Sequence, residues 1–275
     1  MRLDAHQHFW KFDPVRDAWI DETMEVIRKD FLPTDLEPIL QKNNIDGCIA
    51  VQADQSEMET AFLLDIARNN NFVKGVVGWV DLLADNVEDR LAHFSSNNKL
   101  KGIRHIVQAE PNDFMLRSDF QNGISKLSQF DLTYDILVFP RQLPAAIKLA
   151  EKFPDQAFVL DHIAKPAISS GMDREWQSDI KELATCENVY CKVSGLVTET
   201  KDFQWRAEEF TPFLDVVFDS FGADRLLYGS DWPVCLLSSP YETVLKIIED
   251  YVPKEHHTKI FYQNTVNFYK LDENL

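Results

Sequence analysis

Eight short apolar runs, each followed by a stretch of helical periodicity, constrain this chain more than anything else in it. The runs fall at residues 3–8, 47–51, 73–80, 101–107, 132–139, 157–160, 189–193 and 226–229. Runs this short and this uniformly apolar belong to parallel strands covered on both faces. Start signals fill the gaps between them. Thr34-Asp35-Leu36-Glu37 and Ser56-Glu57-Met58-Glu59 have the form of capping boxes, Asp85 and Ser118 stand where caps are expected, and Ser239-Pro240-Tyr241-Glu242 offers a Ser cap with Pro next to it. These signals predict helices over 34–43, 56–69, 141–153, 173–186, 205–221 and 254–269, with Gly222 stopping the fifth of these. Without a Gly/Ser linker or a low-complexity segment, the pattern predicts one domain, residues 1–275, folded as a closed (β/α)₈ barrel. The rival is an open doubly wound sheet, but the first strand is not followed by a glycine-rich phosphate loop.

In such a barrel, right-handed crossovers carry the C-terminal ends of all strands to one rim. The reactive residues cluster at those ends. In Tyr228-Gly229-Ser230-Asp231-Trp232-Pro233 an apolar strand delivers a carboxylate into a turn, and in Leu3-Asp4-Ala5-His6-Gln7-His8 two histidines project from one face of an extended strand. A carboxylate facing two imidazoles suits either a divalent metal or a metal-free general base beside cationic donors. The sixth strand runs into Asp161-His162-Ile163-Ala164-Lys165, and the fourth carries Arg104 and His105, which alternate in direction so that only one need face the rim. Arg104 offers a planar fork of donors for a carbonyl or a carboxylate. Gln52, Trp79, His105, Lys165 and Trp232 lie at or beside strand ends and are candidates for substrate contact. Each candidate also has a plainer role open to it. Asp231 could cap its turn, the histidines could be satisfied core residues, the tryptophans could be packing, and Lys192 could point inward to pair with a carboxylate.

A formal net charge of -17 repels phosphate backbones and anionic lipid, so nucleic-acid and membrane partners are not expected. Residues 1–10 carry charge instead of an apolar leader, so a cytoplasmic protein is expected. Cys48, Cys186, Cys191 and Cys235 lack metal-knuckle or CxxC spacing and are expected as buried, reduced thiols.

The strings DAHQHFW, LDHIAKP, CKVSGL and YGSDWPV together resemble the amidohydrolase superfamily over nearly the whole chain, and within it the branch of sugar-acid and pyrone-dicarboxylate lactonases. The resemblance implies the barrel and hydrolysis of a small-molecule lactone of L-fucono or L-rhamnono type. His6 and His8 match the strand-one HxH, His162 the strand-six histidine, and Asp231 the strand-eight aspartate that activates water. Metal-dependent members add a histidine or carbamylated lysine after strands four and five, whereas strand five here, Tyr134 to Phe139, has no histidine. The expectation is therefore that no cofactor is required, with Arg104 and the histidines serving as electrophile and most activity surviving chelation. If a metal is bound, it is one divalent ion such as zinc on His6, His8, His162 and Asp231. The alternatives are a metal-dependent decarboxylase of an aromatic or unsaturated acid and a sugar-binding barrel without catalysis.

Overall fold

A computed structural model describes residues 1–272, so the last three residues of the expected 1–275 domain lie outside it. Eight parallel strands pair in chain order: β1 (Leu3–Gln7), β2 (Gly47–Val51), β3 (Val73–Gly78), β4 (Leu100–Ile106), β5 (Thr133–Leu137), β6 (Phe158–Leu160), β7 (Val189–Val193) and β8 (Leu226–Tyr228). Around them run α1 (Pro33–Lys42), α2 (Glu57–Asn69), α3 (Val87–Ser95), α4 (Ser118–Leu127), α5 (Leu143–Lys152), α6 (Arg174–Leu183), α7 (Thr211–Phe221) and α8 (Tyr241–Tyr251), with a π-turn and α9 (Asn264–Phe268) at the end. This is the (β/α)₈ barrel. Strand residues that face outward, such as Cys48, Ala50, Val76 and Ile136, are wholly buried under the helices, which is why the strands read as continuous apolar runs.

The barrel closes between β1 and β8 through a narrow seam. His8 N–H donates to the Trp232 carbonyl at 2.7 Å and Asp231 N–H to the His6 carbonyl at 2.9 Å. Below them the Asp4 carboxylate substitutes for further backbone pairing, accepting from Ser230 N–H at 2.9 Å, His6 N–H at 3.1 Å and the Tyr241 hydroxyl at 3.0 Å.

Several predicted helix starts are displaced. At α1 the reciprocal side chain is Asp35, accepting from Leu32 N–H, and Thr34 lies inside the helix. The residue before α3 is Asn86, one position beyond Asp85. α7 begins at Thr211, not at 205, with Pro212 in its first turn. Trp205 instead turns its indole N–H to the hydroxyls of Ser238 and Ser239 at 2.9 and 3.2 Å, so Ser239 serves that contact and α8 starts without a side-chain cap. The Ser56 cap holds, accepting from Glu59 N–H at 3.2 Å. All four cysteines are free thiols, three buried and Cys186 half-buried. Among the described residues no helix is long and apolar enough to cross a membrane.

Candidate active site

The rim at the strand C-termini holds a cleft of about 310 Å³. Its polar floor is built by His8, Arg104, His162 and Asp231. Trp10, Trp19, Ile106, Leu137 and Val234 supply apolar wall, and Lys165 and Gln108 stand at its edge.

Three backbone devices aim the floor. His6 and His8, two apart on an extended segment, bring their Nε2 atoms to 3.3 Å of each other. Asp231 sits at φ +59° three residues past the end of β8, where the turn brings its carboxylate to the His6 and His8 rings. The third device is a run of four left-handed residues after β6, His162, Ile163, Ala164 and Lys165, with φ of 54°, 49°, 62° and 49°. Left-handed backbone is costly for side chains with a Cβ, and for β-branched Ile163 most of all, so surrounding contacts must hold the run. Trp176 Nε1 does so by donating to the Ile163 carbonyl at 2.9 Å, and His162 Nδ1 is 2.9 Å from Ser194 Oγ.

Three imidazoles converge on one carboxylate oxygen. Asp231 Oδ1 is 3.3 Å from His8 Nε2, 3.8 Å from His162 Nε2 and 3.9 Å from His6 Nε2, and all four residues are buried. Burial pushes the Asp231 carboxyl up, and His162, His8 and His6 overcome that to hold it well below the usual carboxylate range. Burial pulls His162 down to about 4 and His6 well below its ordinary value. Those rings are therefore uncharged at neutral pH, where Asp231 faces lone pairs and N–H groups instead of cations.

Arg104 reaches the floor from β4. It donates to the Gln52 carbonyl, to Gln52 Oε1 at 2.9 and 3.1 Å and to Asp161 Oδ2 at 2.9 Å, and its Nη1 is 3.3 Å from His6 Nε2. Gln52 is thus wholly buried and holds Arg104 instead of meeting the cleft. His105, one residue on, points the opposite way, stacking on Phe114 with ring centroids 5.0 Å apart, and Trp79 Nε1 lies 3.4 Å from its Nδ1. Trp232 packs edge-on against Phe31 and Phe9 in the core. So of the substrate-contact candidates only Lys165 lines the cleft, ion-paired to Glu199 at 2.9 Å. Strand alternation turns His105 outward, and the seam buries Trp232.

Sequence reasoning missed Trp19, and of the charged layer under His6 it anticipated only the inward pairing of Lys192 with a carboxylate, not Asp135 or Tyr269. There Lys192 Nζ lies 2.5 Å from Asp135 Oδ2 and 3.0 Å from Asp161 Oδ1, and Tyr269 donates its hydroxyl to Asp135 at 2.8 Å. The available signal was a charged residue at an inward position of an otherwise apolar strand.

The donor chemistry fits a metal ion. His8 Nδ1 donates to the Val51 carbonyl at 2.8 Å, which leaves Nε2, 3.3 Å from Asp231 Oδ1, as the ring atom available to ligate a cation placed between the two. His6, His8 and Asp231 form one group of donors and His6, Asp161 and His162 another, the donor atoms of each within 4.8 Å of one another.

Comparison with known proteins adds to this geometry. A family model described as amidohydrolase matches residues 3–271. An L-fucono-1,5-lactonase of Burkholderia multivorans is 39% identical over 264 residues, covering 90% of this chain and 88% of that one. An L-fucono-1,5-lactonase of Burkholderia ambifaria is 36% identical, with 98% and 96% covered. The crystal structure of a Burkholderia multivorans amidohydrolase with bound zinc superposes with a TM-score of 0.94 at 36% identity, covering 99% of this chain and all of that one. That zinc, together with the two donor groups, overturns the expectation that no cofactor is required. The absence of a strand-five histidine misled because strands one, six and eight already supply a full set of nitrogen and oxygen donors.

Proposed function

The chain belongs to the amidohydrolase family, and from that membership we propose that it is a hydrolase opening a sugar-acid lactone of the L-fucono or L-rhamnono type. One observation carries the reading: a single buried carboxylate, Asp231, on the floor of a cleft against three imidazole nitrogens. The two Burkholderia lactonases support the substrate class, and the cleft suits it. Trp10 and Trp19 offer faces to a sugar ring, Ile106, Leu137 and Val234 suit a deoxy sugar's methyl, and Lys165 can meet hydroxyls or the product carboxylate.

Asp231 takes a proton from water as the water oxygen attacks the lactone carbonyl carbon. Held well below the usual carboxylate range, the Asp231 carboxyl is ionised at neutral pH and can accept that proton. The Arg104 guanidinium, fixed by Gln52 and Asp161, stabilises negative charge as it develops on the carbonyl oxygen. Collapse of the tetrahedral adduct breaks the ring C–O bond, and the departing ring oxygen recovers the proton from Asp231, leaving the open hydroxy acid. His6, His8, His162 and Asp231 would hold a divalent ion, which supplies carbonyl polarisation and a more acidic water.

The test is a panel of aldonolactones followed by acid release in a weakly buffered indicator assay, beside carbon dioxide detection on aromatic acids. The expected result is acid release from 6-deoxy-sugar lactones and no carbon dioxide. Carbon dioxide evolution, or no turnover of any lactone by zinc-loaded protein, would reject the reading.

A further inference from the structure

The two donor groups in the barrel share His6, yet they differ in what surrounds them. The group of His6, His8 and Asp231 opens on the cleft. Asp161, in the other, is already engaged by two protein cations, with Arg104 Nη1 at 2.9 Å from Oδ2 and Lys192 Nζ at 3.0 Å from Oδ1. Lys192 Nζ also lies 2.5 Å from Asp135 Oδ2 and 3.1 Å from His6 Nδ1. The side chains of Lys192, Asp135, Asp161 and His6 have no solvent exposure. One ammonium therefore sits among two carboxylate oxygens and an imidazole nitrogen, the kind of donor set that otherwise takes a divalent ion. The charges balance, with Asp135 and Asp161 against Lys192 and Arg104.

We propose that Lys192 is a resident cation occupying a second metal position, and that it limits this centre to one ion per chain. The ammonium hydrogen-bonds Asp135 Oδ2, lies 3.1 Å from His6 Nδ1 and ion-pairs with Asp161 Oδ1 at 3.0 Å, so the position is filled electrostatically by a protein cation. Removing it leaves two buried carboxylates with Arg104 as their one cationic partner, an imbalance that burial makes expensive and that a small divalent ion can relieve. Zinc binds oxygen and nitrogen donors at roughly 2.0–2.2 Å, so donors now 2.5–3.1 Å from Nζ need move inward by less than an ångström or so. The inference concerns ion count and stands apart from lactone chemistry.

The experiment compares wild type with Lys192→Ala and with Lys192→Gln, which keeps more of the side-chain volume and a donor toward Asp135. Each is refolded with excess zinc, dialysed and checked by circular dichroism. Zinc per chain is then measured by mass spectrometry and titration calorimetry. The expected result is one more zinc equivalent in the variants than in wild type, with anomalous scattering placing the extra ion between Asp135 and Asp161. Equal zinc content in whichever variant folds, or two ions already in wild type, overturns the proposal. Failure of both variants to fold even with zinc overturns it too, because zinc must be able to replace the ammonium.

Discussion

The ring of His162 occupies the space that a Cβ on residue 195 would need: built on Gly195, that atom would stand 2.6 Å from His162 Nδ1 and 2.7 Å from Cγ. Gly195 is also left-handed, at φ +65°. Gly195→Ala therefore meets both a steric and a conformational penalty, together about 1–3 kcal/mol. The relief available is movement of the imidazole off Ser194. Expected are a lower melting temperature and at least a tenfold loss in kcat on the best lactone, with unchanged kcat arguing that His162 has no part in turnover.

Asp231→Asn keeps the size of the side chain but cannot take a proton. The expected loss in kcat is roughly 10²- to 10⁴-fold with the fold retained. A residue that merely shaped its turn would tolerate the amide, so a near-normal rate in a variant of normal melting temperature removes Asp231 from the mechanism.

Arg104→Lys preserves charge and discards geometry. The guanidinium spans Gln52 and Asp161 at once, which one ammonium cannot reproduce. A fall in kcat of roughly 10²-fold, the scale of losing one oxyanion donor, is expected with a smaller change in KM. A pure KM effect would instead assign Arg104 to ground-state binding.

Glu59 gives a pH signature of stability that is separable from catalysis. Burial pushes its carboxyl from 4.5 up to about 7, while its Oε1 accepts from Ala53 N–H at 2.6 Å. The folded state thus holds this proton more tightly than the unfolded chain. Its contribution is fully present below pH 4.5 and is lost as pH rises through 7, by about 3 kcal/mol at most. Glu59→Gln keeps the acceptor and cannot ionise, so its melting temperature relative to wild type should rise between pH 5 and pH 8. A difference constant with pH would show that the carboxyl titrates normally.

The barrel was legible because strands buried on both faces carry little polar punctuation, and His6, His8 and Asp231 stood out as polar residues within or just past such runs. Alternation could say that Arg104 and His105 face opposite ways, but only the closed barrel shows which one meets the cleft. The charged layer is legible only in part. Asp135 and Lys192 come from strands 57 residues apart and meet inside the barrel through its curvature. Helix starts failed where tertiary contacts claimed the capping group, as Trp205 claims Ser239.

The seam between β1 and β8 has a consequence for how activity arises during folding. Its two backbone bonds join Asp231 to His6 and His8 to Trp232, so three of the four peptide groups that complete the cylinder belong to the residues of the proposed centre. The first and last strands arrive from opposite ends of the chain, and until they meet, the carboxylate and the imidazole pair are in separate places. If these residues carry the reaction as proposed, the onset of activity in a refolding experiment is expected to time the closure of the last strand against the first.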